Sequence, residues 1–358
     1  MQEAVTTSLS ERVSAVLRSS EAVVPRATYR LQFHKDFTFD HAIEILPYLK
    51  RLGISHVYAS PLLMARSGST HGYDIIDHNR MNPELGGEEG FHRFSQALQQ
   101  HGLGLVLDFV PNHMGVGAAN RWWRDVLKHG RCSRFAHYFD IDWNPLKGEL
   151  RNKLLLPTLG GPYGQVLESG NLQLHLKDGE IELCYYDHSF PVALNSLPLL
   201  FEGTSFPAEL LQRLRDLPEH CATSPSQVES RLQLTPELER AVRQWLSTDE
   251  GVRVASEVLK QVNGTPGDPA SFDRLHQFLE LQAYRLSFWR VSGEEINYRR
   301  FFDVNDLVGV RQEFPDVFAS THRLIRRLLG TGQLDGIRID HVDGLYNPRQ
   351  YLIRLQML

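Results

Sequence analysis

Two short stretches hold the side chains best placed to do chemistry: Asp108, Asn112 and His113 in "LDFVPNH", and Arg338 with Asp340 in "GIRID". A carboxylate can accept a proton or attack an electrophilic carbon, while imidazole, amide and guanidinium groups bind and polarise its partner. Taken singly, each aspartate is as readily a helix cap or half of a buried ion pair. "TLGGPYG" (158–164) lacks the Gly-Lys-Ser/Thr ending that gives a phosphate loop its lysine and magnesium ligand, so it does not read as one. The histidines form no HExxH pair, which argues against a catalytic zinc, and no metal or other cofactor is expected.

The elements that would position these residues repeat as strand followed by helix. "ATYRLQF" (27–33) reads as a strand, and "TFDHAIEILPYLKRLG" has apolar residues at helical spacing before Gly53. "ISHVYASP" (54–61) and the helix "GEEGFHRFSQALQQHG" (87–102) form a second unit. "LGLVLDFVP" (103–111) is a continuous apolar run with one aspartate near its end, the pattern of a parallel strand buried on both faces. A helix over 316–329 then leads into the strand "GIRID" (336–340). Between the third and fourth strands lies a long mixed stretch. It begins with β-like runs, including a hairpin around Asp178-Gly179, and continues with helices starting near "SPSQVESRLQ", "TPELERAVRQWL" and "SFDRLHQFLELQAYRLSFW".

This order predicts an α/β protein: the N-terminal half of a (β/α)8 TIM barrel with a long mixed, largely helical insertion between strands three and four. Residues 1–25 would be a lead-in and 26–113 the first three barrel units. An inserted lid or subdomain would occupy 114–305, and 306–358 would carry the third helix, the fourth strand and the start of the fourth helix. In such barrels the C-terminal strand ends converge on one face and build the active site, which favours a joint role for Asp108, Asn112, His113, Arg338 and Asp340.

The whole chain narrows the partners. It has 358 residues, 42% of them hydrophobic, and a formal net charge of −5, with no basic footprint for nucleic acid or an anionic membrane surface. Cys132, Cys184 and Cys221 are scattered and odd in number, which fits a reducing compartment and makes cytoplasm the expectation. No secretory h-region and no membrane-length apolar segment is present.

Taken together, "STHGYDIIDHNRMNPELGG", "LDFVPNH" and "GIRIDHVD" resemble, in order and spacing, the α-amylase family of glycoside hydrolases. Longer phrases ("GISHVYASPLLMARSGSTHGYDIIDHNRMNPELGG", "LLLPTLGGPYG", "INYRRFFDVNDLVGVR") resemble the branch of that family that isomerises the reducing end of a maltooligosaccharide. The resemblance covers residues 26–358. It implies that Asp340 is the nucleophile of a covalent glycosyl intermediate, that Arg338 keeps it ionised and oriented, and that Asp108 braces Arg338. It further implies that His113 donates to the sugar and that Tyr73 is an aromatic platform beneath it.

His71 and Asp74 match substrate-binding positions, with local turn hydrogen bonds as the alternative. Asn112 matches a position that helps hold calcium in many amylases, but no oxygen-ligand cluster accompanies it. After the nucleophile, Asp343 and Gly344 stand where many amylases have Lys-His. The acceptor side is therefore remodelled, and His341 and Asp343 join the substrate-binding candidates. Trp122, Trp123 and Trp143 could stack on glucose or pack a core.

The implied substrate is a linear α-1,4-glucan. The implied acid/base glutamate belongs to a fifth strand, which is not found in these 358 residues. The expectation is a fragment of a longer enzyme, inactive alone and prone to associate through open sheet edges, or one half completed by a second polypeptide. An amylase-type hydrolase and a non-catalytic glucan-binding half-barrel are the rival readings.

Overall fold

The structure, a computed structural model, describes residues 24–358, so almost all of the lead-in assigned to 1–25 lies outside the described residues. Two compact units are present. One comprises the described residues up to Met114 together with Val310–Leu358, and the other is Gly115–Gly309. Among the described residues, no helix is long and apolar enough to cross a membrane.

The first unit alternates strand and helix. In chain order it contains β1 (Thr28–Leu31), α1 (Phe39–Arg51), β2 (His56–Ala59), β3 (Leu63–Ala65), β4 (Ile75–Met81), α2 (Gly87–Gln100) and β5 (Gly104–Phe109). After the second unit it resumes with α3 (Pro315–Thr321), α4 (Arg323–Gly330), β6 (Gly336–Ile339) and α5 (Pro348–Leu355). β1, β2, β5 and β6 form a parallel sheet in that spatial order. β3 and β4 pair antiparallel beside it in sequence, as a separate ribbon.

The side-chain period of two divides this sheet cleanly. Leu31, Val57, Ala59, Leu105, Leu107 and Phe109 join one hydrophobic core, with Ile337 and Ile339 packed against it. The apolar faces of α1 (Ala42, Leu46, Leu49), α2 (Phe91, Phe94, Leu98) and α4 (Leu324, Ile325, Leu328) complete that core. The intervening positions are Arg30, Tyr58, Val106, Asp108 and Arg338. β5 buries Leu105, Leu107 and Phe109 on one face, and on the other Asp108 is buried while Val106 is half-buried. Only one face is packed by helices, and polar groups occupy the other.

The single helix expected over 316–329 is two, broken at His322, which serves as the cap between α3 and α4. Its buried ring explains the break. Nδ1 lies 2.8 Å from the Phe318 carbonyl and Nε2 lies 2.8 Å from the Tyr351 hydroxyl. A carbonyl only accepts, so Nδ1 carries the proton and Nε2 accepts from Tyr351. Burial drives the imidazole down to about 3. It is therefore neutral, and it pins α5 to α3.

The second unit holds the expected hairpin, Leu172–Lys177 against Glu180–Tyr185, with Asp178 and Gly179 both at positive φ in the turn. Its helices differ from the sequence pattern in two places. "SPSQVESRLQ" and "TPELERAVRQWL" form one helix, Pro225–Leu246, which tolerates the internal Pro236. The segment "AYRLSF" leaves helix altogether. Tyr284–Phe288 is a strand paired in parallel with Leu154–Leu159, because its alternating Tyr284 and Leu286 bury there. Trp123 is core, its ring against Phe139 and Tyr298, and Trp122 stacks on Phe135. Cys132, Cys184 and Cys221 are free thiols.

Candidate active site

The sheet register assembles the site. Parallel pairing sets Arg30 beside Tyr58 and Arg338 beside Asp108. Asp340 follows β6 and keeps its ladder, its N–H donating to the Phe109 carbonyl at 2.8 Å. The polar positions of four strands are thereby brought to one face.

Asp108 is the centre. Its side chain is 0% exposed and accepts three hydrogen bonds. Tyr73 and Tyr58 donate to Oδ2 at 2.7 and 2.9 Å, and Arg338 Nη1 donates to Oδ1 at 2.8 Å. The same Arg338 nitrogen donates to Asp340 Oδ1, also at 2.8 Å. One guanidinium therefore bridges a buried carboxylate and a partly exposed one, since Asp340 is 15% exposed. Asp340 Oδ2 accepts no hydrogen bond among the described residues. The hydrogen bond from Arg338 to Asp108, with a further one to Asp340, raises the guanidinium's pKa, so the cation is permanent.

Arg30 and Tyr58, which the motif pattern does not mark, belong to this network. Arg30 Nη2 donates to the Tyr73 hydroxyl at 3.1 Å, and its guanidinium lies 5.4 Å from the centroid of the Tyr58 ring. Arg30 Nη1 donates to Gln32, whose amide in turn reaches the carbonyls of Thr70 and His71. A signal existed for all three. Arg30 and Gln32 are the alternating polar residues of "TYRLQF", and Tyr58 is the matching one of "HVYA".

The other candidates fall into two groups. His71, Tyr73 and Asp74 share one loop, with His113 on a separate strand, His113–Gly115, behind it. His71 Nδ1 accepts from the Tyr73 N–H at 3.0 Å, and Asp74 accepts from the Ser69 hydroxyl at 2.6 Å, so both do make the local turn bonds held as the alternative. Gly72 is required between them: its φ is +77°, and a Cβ there would fall 2.7 Å from the Pro61 carbonyl oxygen. His113 is fully buried, with Nε2 3.2 Å from the Tyr73 carbonyl, and so sits behind the Tyr73 loop.

Asn112, His341 and Asp343 lie around the turn that follows β6. The Asn112 carbonyl accepts from the Val310 N–H at 2.8 Å. His341 adopts left-handed backbone, φ 48°, and its Nδ1 is 3.4 Å from a carboxylate oxygen of the exposed Asp343. A Cβ on Gly344 would lie 2.3 Å from the His341 ring and 3.2 Å from Asn112 Oδ1, so the glycine that departs from the common pattern is a packing requirement.

Burial, and then the hydrogen bond to Asp108, push the Tyr73 phenol up to about 12. The hydroxyl stays protonated and donating across neutral pH. Its stabilisation is complete below the unfolded value of about 10 and is lost as pH rises toward 12. In a spectrophotometric alkaline titration, Tyr73→Phe is expected to remove one phenol ionising near pH 12. Loss of a phenol titrating near 10 instead would contradict the bond to Asp108.

The catalytic-domain model of the α-amylase family matches residues 38–159. A putative maltooligosyl trehalose synthase from Mycobacterium tuberculosis is 35% identical over 339 residues, 93% of this chain and 33% of that protein. In sequence and fold this chain is similar to the maltooligosyltrehalose synthases of the α-amylase family. The solved structure of maltooligosyltrehalose synthase from Arthrobacter ramosus is 38% identical, with a TM-score of 0.63 over 93% of this chain and 33% of that one. A hypothetical maltooligosyl trehalose synthase from Sulfolobus tokodaii is 32% identical, with a TM-score of 0.62 over 94% of this chain. The chain has a TIM-barrel-type α/β fold. It spans about a third of the length of the curated relatives it matches.

Proposed function

We propose that this chain supplies the nucleophile half of a (1→4)-α-D-glucan 1-α-D-glucosylmutase, an isomerase of retaining glycoside-hydrolase type acting on maltooligosaccharides. The observation that carries this reading is the single Arg338 nitrogen shared by buried Asp108 and partly exposed Asp340 at the strand ends. Asp340 is then an ionised, oriented carboxylate whose second oxygen can reach an anomeric carbon.

In the reaction, Asp340 attacks the anomeric carbon of the penultimate glucose, and the bond to O4 of the terminal glucose breaks. A general acid protonates that leaving oxygen, as retaining chemistry requires of a second carboxyl group about 5 Å away. The freed glucose stays bound and turns. Its anomeric hydroxyl then attacks the glycosyl–Asp340 ester, gives its proton to the same carboxylate acting as base, and releases Asp340. Two inversions leave the donor carbon α, so an α-1,4 bond becomes an α,α-1,1 bond with no water consumed. Tyr73 offers its ring to the sugar, while His113, behind it, acts as a positioning residue through the Tyr73 carbonyl. His341 and Asp343 face the acceptor side.

We assign the acid/base carboxyl to the part of the relatives' length that this chain does not span, with further strands adding at the outer strand β6. The 358 residues alone should then lack position-matched acid/base catalysis, worth about 10²- to 10⁴-fold. The test counts reducing ends when maltopentaose is incubated with a full-length polypeptide carrying this chain. Isomerisation lowers the count. A rising count would establish amylase-type hydrolysis instead, and binding without any change would establish a glucan-binding module.

A further inference from the structure

The loop that carries Tyr73 has an exposed tip. Within it the bonds are local: Ser69 Oγ accepts from the Gly72 N–H at 3.1 Å and donates to Asp74 Oδ1 at 2.6 Å. Thr70 and His71, just before Gly72, are exposed, while Tyr73 is half-buried. Turns held by short-range bonds in contact with water open readily. A ring that is to support a sugar needs its loop fixed from outside.

Two side chains at the end of β1 supply that fixing. Arg30 lies on the strand and Gln32 just past it, two residues apart and therefore on one face. Gln32 Oε1 accepts from Arg30 Nη1 at 2.8 Å, which turns the amide nitrogen toward the loop. There Nε2 donates to the Thr70 and His71 carbonyls at 3.1 and 3.4 Å.

Arg30 holds the other end of the tyrosine. Its Nη2 donates to the Tyr73 hydroxyl at 3.1 Å, and that hydroxyl lies 2.7 Å from Asp108 Oδ2. A guanidinium only donates and a carboxylate only accepts, so the hydroxyl accepts from Arg30 and gives its proton to Asp108. The ring is thus fixed at its oxygen by Arg30 and Asp108, and at its backbone end by Gln32 through the two carbonyls that precede Gly72.

Resting on the reading that Asp340 attacks a sugar seated on Tyr73, we propose that Arg30 and Gln32 are positioning residues for that attack, clamping the Tyr73 loop to β1. Neither needs to touch the sugar. A misplacement of about 1 Å between reacting groups can cost about 100-fold in rate, so a loosened platform still binds glucan but presents it poorly.

Gln32→Glu tests the clamp. It keeps the oxygen that accepts from Arg30 and sets a carboxylate, which cannot donate, against two carbonyl oxygens. In hydrogen exchange read by mass spectrometry on the 358-residue chain, residues 69–74 are expected to exchange about tenfold faster in this variant, with β2 and β5 unchanged. In a full-length polypeptide carrying this chain, maltopentaose consumption is measured whichever product forms. Gln32→Glu and Arg30→Met are each expected to lower kcat about tenfold with KM within about threefold. Because Arg30 acts through the Tyr73 hydroxyl, the effect of Arg30→Met should shrink to about threefold or less once Tyr73→Phe is in place. Unchanged exchange of residues 69–74 in Gln32→Glu, or full additivity of Arg30→Met with Tyr73→Phe, would overturn the proposal. An unmodified enzyme that leaves maltopentaose untouched would remove the functional reading and the positioning role with it, while the exchange result still decides whether β1 clamps the loop.

Discussion

Asp340→Asn is expected to abolish turnover in a full-length polypeptide carrying this chain. The reason is specific to the geometry. Asparagine keeps the size of the side chain and an oxygen that can still accept from Arg338, so the bridge to Asp108 survives. What disappears is the negative charge that must attack carbon, and an amide does not form the glycosyl ester. Both isomerisation and side hydrolysis pass through that ester, so both should fall together, by on the order of 10⁴-fold or more. Glucan binding should remain, because Tyr73 and its loop do not depend on the charge of Asp340. Steady-state rates and a binding titration on the same preparation separate the two effects. Turnover within about tenfold of the unmodified enzyme would remove Asp340 from the nucleophile role.

The placement of Asp340 was legible in the sequence because two independent patterns agree on it. "GIRID" reads as a short strand, and its charged residues fall two apart, on one face. The same rule, applied to "TYRLQF" and "HVYA", points to Arg30, Gln32 and Tyr58. These were hidden because no cluster of catalytic residue types accompanies them, and only the register of β1 with β2 brings Arg30 to Tyr58. The second unit was less legible for a related reason. Tyr284–Phe288 becomes a strand because it finds Leu154–Leu159, far along the chain, and no local propensity specifies that pairing. Proline misled in the opposite direction. Thr235-Pro236 reads as a helix start, yet packing on both sides carries the helix through it, with Thr235 and Leu238 both buried. His322 is the converse case, where a helical pattern is interrupted because a buried imidazole takes its partners from two elements.

Arg338→Met should destabilise the first unit more than Asp108→Asn, although both break the same hydrogen bond. The asymmetry comes from what is left behind. Removing Arg338, itself 47% exposed, strands the carboxylate of Asp108 at 0% exposure with two tyrosine hydroxyls and with Arg30 4.0 Å away. Breaking a fully buried pair costs about 3–5 kcal/mol; since Arg338 is half in water, about 2–4 kcal/mol is expected here. Asp108→Asn leaves no buried charge. Its amide oxygen still accepts from a tyrosine, and Arg338 keeps Asp340 as its partner, so about 1–2 kcal/mol is expected. The double variant should then be less destabilised than the sum of the two, because neutralising Asp108 relieves the charge that Arg338→Met strands. Urea unfolding of the four proteins in the cycle measures this directly. Equal losses in the two single variants, with strict additivity in the double, would mean that Arg338 does not hold Asp108 and that the bridge to Asp340 has no anchored end.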